Sequence, residues 1–317
     1  MRFEPTDVHR AQRGSEEEAA TVIVYLNGDL LPRDRARVSV FDRGFVFGDG
    51  VYEGLRAVPR SGGGGNTRIV GLRGHEERMA EGLREARIDW DVRRLGPESE
   101  RLLAANSMLD AFVYWQVTRG TPGKGAPVRQ RVPGTAMTPT VFAYCSPQPP
   151  LDSFAAPACK SAVAIRDIRW EMGRLKSISL MGNVWCAMHA DAAGADDAIL
   201  IRKRRGEGDG LVGEGLATNV VVVTREGEVC TPSLDSVPIL AGVTRAILLR
   251  ERPEIRERAV RASELRDARE IMLIGTTTMV ASVTRLDGAQ VGDGTPGPVA
   301  CSLLRTLVDA IRSRRDV

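Results

Sequence analysis

The chain has 317 residues, of which 43% are hydrophobic and 27% charged; that is the composition of a globular protein with enough length for two cores. Its 44 Lys and Arg stand against 41 acids, a net charge of +3, so the charge balance calls for no nucleic acid and no membrane partner. Five scattered cysteines without a Cys-x-x-Cys spacing and only three histidines argue against a disulfide framework and against a metal site.

The first 20 residues are polar, include Glu16-Glu17-Glu18 and lack an apolar core region, so a poorly ordered tail is expected rather than a secretory signal. No later apolar run reaches the length of a membrane span, and a reducing cytoplasm is the expected compartment. Thr21-Val22-Ile23-Val24-Tyr25-Leu26, followed by Asn27-Gly28-Asp29, predicts a strand, a tight turn and a returning strand. Ser61-Gly62-Gly63-Gly64-Gly65-Asn66 lacks the Gly-Lys-Ser/Thr of a phosphate loop and reads as a flexible surface loop, as does the Arg-rich segment 202–210.

Residues 74–87 predict a helix with His75, Arg78, Met79, Gly82, Leu83 and Ala86 on its inward face and acids turned away. Strands are predicted at 111–119 and 140–145, before Ser146-Pro147-Gln148-Pro149-Pro150, whose prolines mark a linker. Further strands are expected at 161–165, 197–201, 219–224 and 270–274, and helices at 183–193 and 244–250. The alternation is irregular, which favours an α+β fold with two lobes over a doubly wound sheet. The predicted organisation is a tail (1–20), a smaller N-terminal α/β domain (21–145), a linker (146–154) and a larger C-terminal domain (155–317).

Four pieces carry chemistry. Lys176 stands in Leu175-Lys176-Ser177, Glu214 in Val212-Gly213-Glu214-Gly215, and two turns rich in small and hydroxyl residues follow at Gly242-Val243-Thr244-Arg245 and Gly275-Thr276-Thr277-Thr278. An amine, a carboxylate and two phosphate cradles are what a pyridoxal phosphate enzyme needs. No one piece suffices: taken singly, a Lys is usually exposed, a Glu a surface charge and a Thr an N-cap.

With these residues in view, the chain resembles the class IV, or fold type IV, pyridoxal-phosphate aminotransferases. Matching blocks appear in the family's order: the run from Val38 through Phe47 to Glu53, His75-Glu76-Glu77-Arg78-Met79, Gln116-Val117-Thr118-Arg119-Gly120, Asp167-Ile168-Arg169-Trp170, Leu175-Lys176-Ser177 and Ala193-Gly194-Ala195-Asp196-Asp197-Ala198, then the three blocks around Glu214, Gly242 and Gly275. The resemblance implies a two-domain fold type IV enzyme in which Lys176 forms the internal aldimine, a Schiff base with the cofactor, and shuttles the substrate proton. It implies that Glu214 keeps the pyridine nitrogen protonated, that Arg78, Val243, Thr244, Thr276 and Thr277 form a phosphate cup, and that Leu240 packs on a ring face. A homodimer is implied in the same way.

Substrate identity is less clearly marked. Phe47, Tyr52 and the Tyr114-Trp115-Gln116 stretch resemble D-amino-acid aminotransferases, whereas Tyr52-Glu53-Gly54-Leu55-Arg56 resembles branched-chain enzymes. The Arg-x-His pair that traps the carboxylate in D-amino-acid enzymes is missing; Val128-Arg129-Gln130-Arg131 follows instead, and Arg129 and Arg131 are either a substitute clamp or solvated loop residues. Phe47, Tyr52, Arg56, Tyr114, Arg129 and Arg131 are therefore the candidate substrate-binding residues. The reading is transamination between an amino acid, D-amino acids first, and a 2-oxo acid. Branched-chain L-amino-acid transamination, (R)-selective amine transamination, aminodeoxychorismate lyase chemistry and a non-catalytic homologue are the alternatives.

Overall fold

The computed structural model describes residues 22–60, 66–133, 137–203 and 208–316. The predicted tail, the glycines 62–65 and residues 204–207 of the Arg-rich segment lie outside the described residues.

The N-terminal lobe contains strands β1 (Ile23–Leu26) and β2 (Asp29–Pro32), helix α1 (Arg43–Phe47), strands β3 (Gly50–Pro59) and β4 (Thr67–Ile69), helices α2 (Leu72–Ala86) and α3 (Leu95–Ala105), and strands β5 (Ala111–Thr118) and β6 (Thr140–Pro147). The six strands form one antiparallel sheet in the order β2-β1-β6-β5-β3-β4. Period-two alternation on β5 turns Ala111, Val113, Trp115 and Val117 into the core under α2 and α3, and leaves Phe112, Tyr114 and Gln116 half-buried on the opposite face. The buried indole of Trp115 keeps its hydrogen bond by donating to Ser99 Oγ at 2.8 Å.

The C-terminal lobe follows with β7 (Ala158–Arg166), α4 (Met181–Ala192), β8 (Asp197–Arg202), β9 (Leu211–Val212), β10 (Asn219–Val223), β11 (Val229–Pro232), α5 (Val243–Glu251), β12 (Arg256–Arg258), α6 (Ala262–Arg266), β13 (Glu270–Gly275), β14 (Met279–Leu286), β15 (Ala289–Gln290) and α7 (Pro298–Arg312). Its mixed sheet runs β12-β11-β10-β13-β14-β7-β8-β9, with β15 on β14. Strands β10 and β13 read as continuous apolar runs because both sheet faces are covered. Helices α5 and α7 cover one of them, and Val58 and Val70 of the first lobe join that same cluster. The lobes are tied again at the chain end, where Arg68 Nη1 donates to Asp316 Oδ2 at 2.7 Å and Gly71 N to the same oxygen at 3.0 Å.

The fold is the expected α+β arrangement of two lobes. The predicted elements appear with ends displaced by at most three residues, since helix and strand termini depend on local caps and pairing. Several elements carry no sequence prediction, among them β3, α3, β14 and α7. The last carries a buried stripe of Leu303, Leu304, Leu307, Val308 and Ile311, while the basic residues Arg312, Arg314 and Arg315 at its end are exposed.

Candidate active site

Residues 167–180, between β7 and α4, form no regular helix or strand, and β3 holds them in place. Tyr52 N donates to Lys176 O at 3.0 Å, Ile178 N to Gly50 O at 3.2 Å, and Ser179 Oγ to Gly48 O at 3.0 Å. These bonds lay half-buried Lys176 across β3 with Nζ 4.4 Å from the Tyr52 ring centroid, a cation–π distance. Tyr52 in turn stacks on Tyr114 at 5.6 Å.

Glu214, just past β9, is 6% exposed. Its Oε1 accepts from Arg169 Nη1 at 2.6 Å and its Oε2 from Leu240 N at 3.0 Å. Burial pushes the Glu214 carboxyl up from its usual range, and Arg169 is the main group working against that shift. Arg169 is itself held by Asp167, whose two oxygens accept from Nε at 3.1 Å and Nη2 at 3.0 Å. Burial disfavours this guanidinium's charge, but Asp167 and Glu214 outweigh it and raise its pKa. Each Glu214 oxygen retains a lone pair for a further donor in the cavity.

On the other side, Gly242 is the N-cap of α5 and makes no side-chain cap bond, so the first N–H groups of the helix lack intrahelical partners where Gly242, Val243 and Thr244 line the cavity. Gly242 allows a close approach: a Cβ there would stand 1.9 Å from Asn219 Oδ1. Thr276 and Thr277 add the turn between β13 and β14, and the buried Thr218 Oγ1 has no hydrogen-bond partner among the described residues. Arg78 closes this end. Its Nε and Nη2 donate to Glu53 Oε1 and Oε2, both at 2.7 Å, and its Nη1 to Ala241 O at 3.0 Å, which leaves two of its five N–H donors for a ligand. Glu53 is fully buried and also pairs with His75 Nδ1 at 2.7 Å; burial would raise its pKa, but Arg78 and His75 hold it far below the usual carboxylate range.

Lys176, Glu214, Arg169, Arg78, Thr218, Thr244, Thr276 and Thr277 line one cavity of about 340 Å³, which brings an amine, a carboxylate and a hydroxyl-lined cup together. A family model described as amino-transferase class IV matches residues 50–286. The chain belongs to the class IV aminotransferases.

A curated relative of this aminotransferase, a D-alanine aminotransferase of Bacillus licheniformis, is 34% identical over 92% of the chain and 97% of the relative. Among solved structures, a branched-chain aminotransferase from the thermophilic archaeon Thermoproteus uzoniensis, with norvaline, superposes with a TM-score of 0.77 at 23% identity, covering 92% of this chain and 95% of that one. A hypothetical aminotransferase from Mycobacterium tuberculosis, in a PLP-bound form, gives 0.73 at 26%, covering 93% and 100%.

Of the site residues expected from sequence, Lys176, Glu214, Arg78, Leu240, Val243, Thr244, Thr276, Thr277 and Tyr52 line this aminotransferase's cavity. Tyr114 stands behind Tyr52 rather than in the lining. Phe47 lies between two guanidiniums, with Arg43 and Arg129 at 4.6 and 5.3 Å from its centroid. Arg129 and Arg131 are exposed and outside the lining; the backbone there is held by the buried Arg43, which donates to Gln130 O at 2.6 Å and Arg131 O at 3.0 Å. Arg56 is corrected: it does not reach the cavity of Lys176 but is buried behind the cup, where Nη2 donates to Pro149 O and the guanidinium stacks on Phe154. Sequence reasoning left out Arg169, Thr218 and Asn219 as site residues, although Asp167-Ile168-Arg169-Trp170 carried a signal for the first.

Proposed function

We propose that this aminotransferase moves an amino group between a D-amino acid and a 2-oxo acid with pyridoxal 5'-phosphate as cofactor. The single observation that carries the cofactor reading is the shared cavity, with Lys176 and Glu214 on its walls and an uncapped helix start, threonine hydroxyls and Arg78 at one end. When bound, the cofactor supplies an aldehyde for amine exchange and a ring that withdraws electrons from the substrate Cα.

In this reading Lys176 is the residue that would hold the cofactor through its aldehyde, and its free amine would take and return the proton at the substrate Cα. Glu214, oriented by Arg169 and Leu240 N, is the carboxylate that would pair with the ring nitrogen and keep it protonated. The N–H groups of Val243 and Thr244, the hydroxyls of Thr218, Thr244, Thr276 and Thr277, and the free donors of Arg78 would hold the phosphate. Leu240 would give the ring an apolar contact, and Tyr52 covers the Lys176 amine at 4.4 Å.

The D-amino-acid preference is supported by the 34% identical D-alanine aminotransferase. Arg129 and Arg131 are exposed and stand outside this chain's own cavity, and we infer that a carboxylate clamp built on them would serve the cavity of a second copy. Exposed Phe41, Phe45, Met181, Val184, Trp185 and Met188 provide apolar surface for such a homodimer.

The test is a half-reaction screen following the visible absorbance of the lysine-bound cofactor. D-alanine and D-glutamate should bleach it faster than L-valine, L-leucine or (R)-1-phenylethylamine. Faster bleaching by L-valine or L-leucine would replace the D reading with the branched-chain one, and turnover without any 2-oxo acid would point to lyase chemistry.

A further inference from the structure

Arg56, on β3, is among the largest fully buried side chains, at 1% exposure. Its Nη2 is satisfied by Pro149 O, but Nε and Nη1 meet no acceptor among the described residues. Buried guanidinium donors are seldom left unmatched, because their desolvation is costly. The Arg56 side chain borders a small cavity of about 10 Å³ between the lobes, whose polar lining is Arg56, His75, Thr244 and Thr276 and whose remaining walls are apolar. That is the space one water occupies, and the polar groups number enough to hold it. Thr244 and Thr276 also line the larger cavity with Lys176, so the small chamber backs directly onto the cup.

We propose that Arg56 is a positioning residue for the cofactor phosphate, acting through one buried water on the hydroxyls of Thr244 and Thr276. It is a second cation behind the cup, in addition to Arg78 within it. The water accepts from the guanidinium and donates to a threonine oxygen, which turns that hydroxyl's proton toward the anion. Low dielectric around the chamber strengthens the attraction between the Arg56 charge, which Asp110 partly offsets, and a dianion on the far side. The inference rests on the reading of the cup as a phosphate site.

The experiment titrates apo-enzyme with pyridoxal 5'-phosphate and, separately, with pyridoxal, which lacks the phosphate, for wild type, Arg56→Met and Arg56→Lys. Arg56→Met should weaken pyridoxal 5'-phosphate roughly ten-fold or more while leaving pyridoxal unchanged, with Arg56→Lys between. The ³¹P resonance of the bound cofactor should shift in both variants. Equal weakening of both ligands, or no weakening of either, would overturn the proposal and leave Arg56 as a pin for Pro149 and Phe154 alone. If Arg56→Met does not fold, the ratio measured on Arg56→Lys decides in the same way. A wild-type enzyme that binds pyridoxal as tightly as its phosphate would instead overturn the underlying phosphate reading.

Discussion

Arg169 Nη1 lies 2.6 Å from Glu214 Oε1 while the rest of its fork holds both oxygens of Asp167. One buried cation thus holds two carboxylates in place, only one of which lines the cavity. Its removal should be felt in stability and in pH dependence together. Arg169→Met leaves Glu214 buried without its cation and Asp167 with Arg202 alone, at a cost of about 3–5 kcal/mol in denaturant unfolding. With its main counter-charge gone, Glu214 rises further, so the acid limb of the kcat profile should move to higher pH. An unmoved limb would mean that Glu214 does not need to be ionised for turnover.

Lys176→Ala should fold as the wild type does, because the hydrogen bond that holds residue 176 on β3 is made by its backbone and the side chain adds only the contact with the Tyr52 ring. Its turnover should fall by at least roughly a thousand-fold, the upper range for loss of a proton-transfer group. Borohydride should fix cofactor mass on the wild type and none on the variant, read by intact-protein mass spectrometry.

The His75–Glu53 pair predicts acid sensitivity in two stages. Burial lowers the His75 pKa from its usual 6.5, so below that pH the unfolded chain binds a proton the folded one refuses, and stability falls as pH drops. Glu53, held far below its usual 4.5, has the same sign but acts later: its contribution is intact above 4.5 and is lost as pH falls toward the depressed value. Tm should therefore decline between pH 7.5 and 5 in the wild type and decline less in His75→Asn. Parallel Tm curves for the two proteins would rule out this role for His75.

Gly242→Ala should be the most damaging glycine change at the cup, since its Cβ would lie 1.9 Å from Asn219 Oδ1. Asn219 Nδ2 also donates to Leu240 O at 3.0 Å, so displacing Asn219 disturbs two elements. A loss of about 1–3 kcal/mol is expected, typical of overpacking, divided between folding and cofactor affinity. Thermal melts with and without cofactor separate the two.

Arg129→Ala tests the carboxylate clamp. KM for a D-amino acid should rise roughly ten-fold or more, the loss of one charged hydrogen-bonded contact, while an amine donor without a carboxylate should be unaffected. An equal rise for both donors would assign Arg129 to the packing of Phe47.

Chemistry by residue type was legible in the chain itself. An amine, a carboxylate and two small hydroxyl turns stand in order at Lys176, Glu214, Thr244 and Thr276, and helical periodicity put Arg78 on an inward edge. Burial along β5 and β10 was legible for the same reason, since side-chain alternation and apolar runs are local properties. Tertiary structure decided how those pieces combine. That Arg169 serves Glu214 depends on residues 45 positions apart meeting across the irregular segment before α4, and no local pattern encodes it. Arg56 carries the residue type of a substrate clamp and sits two places beyond cavity-lining Gly54, yet packing of the lobes closes β3 over at that point and turns its charge to the back of the cup. The sequence determined which groups this protein has available; which of them face the cavity was settled by the two lobes closing on each other, because burial and pairing there involve residues far apart in the chain.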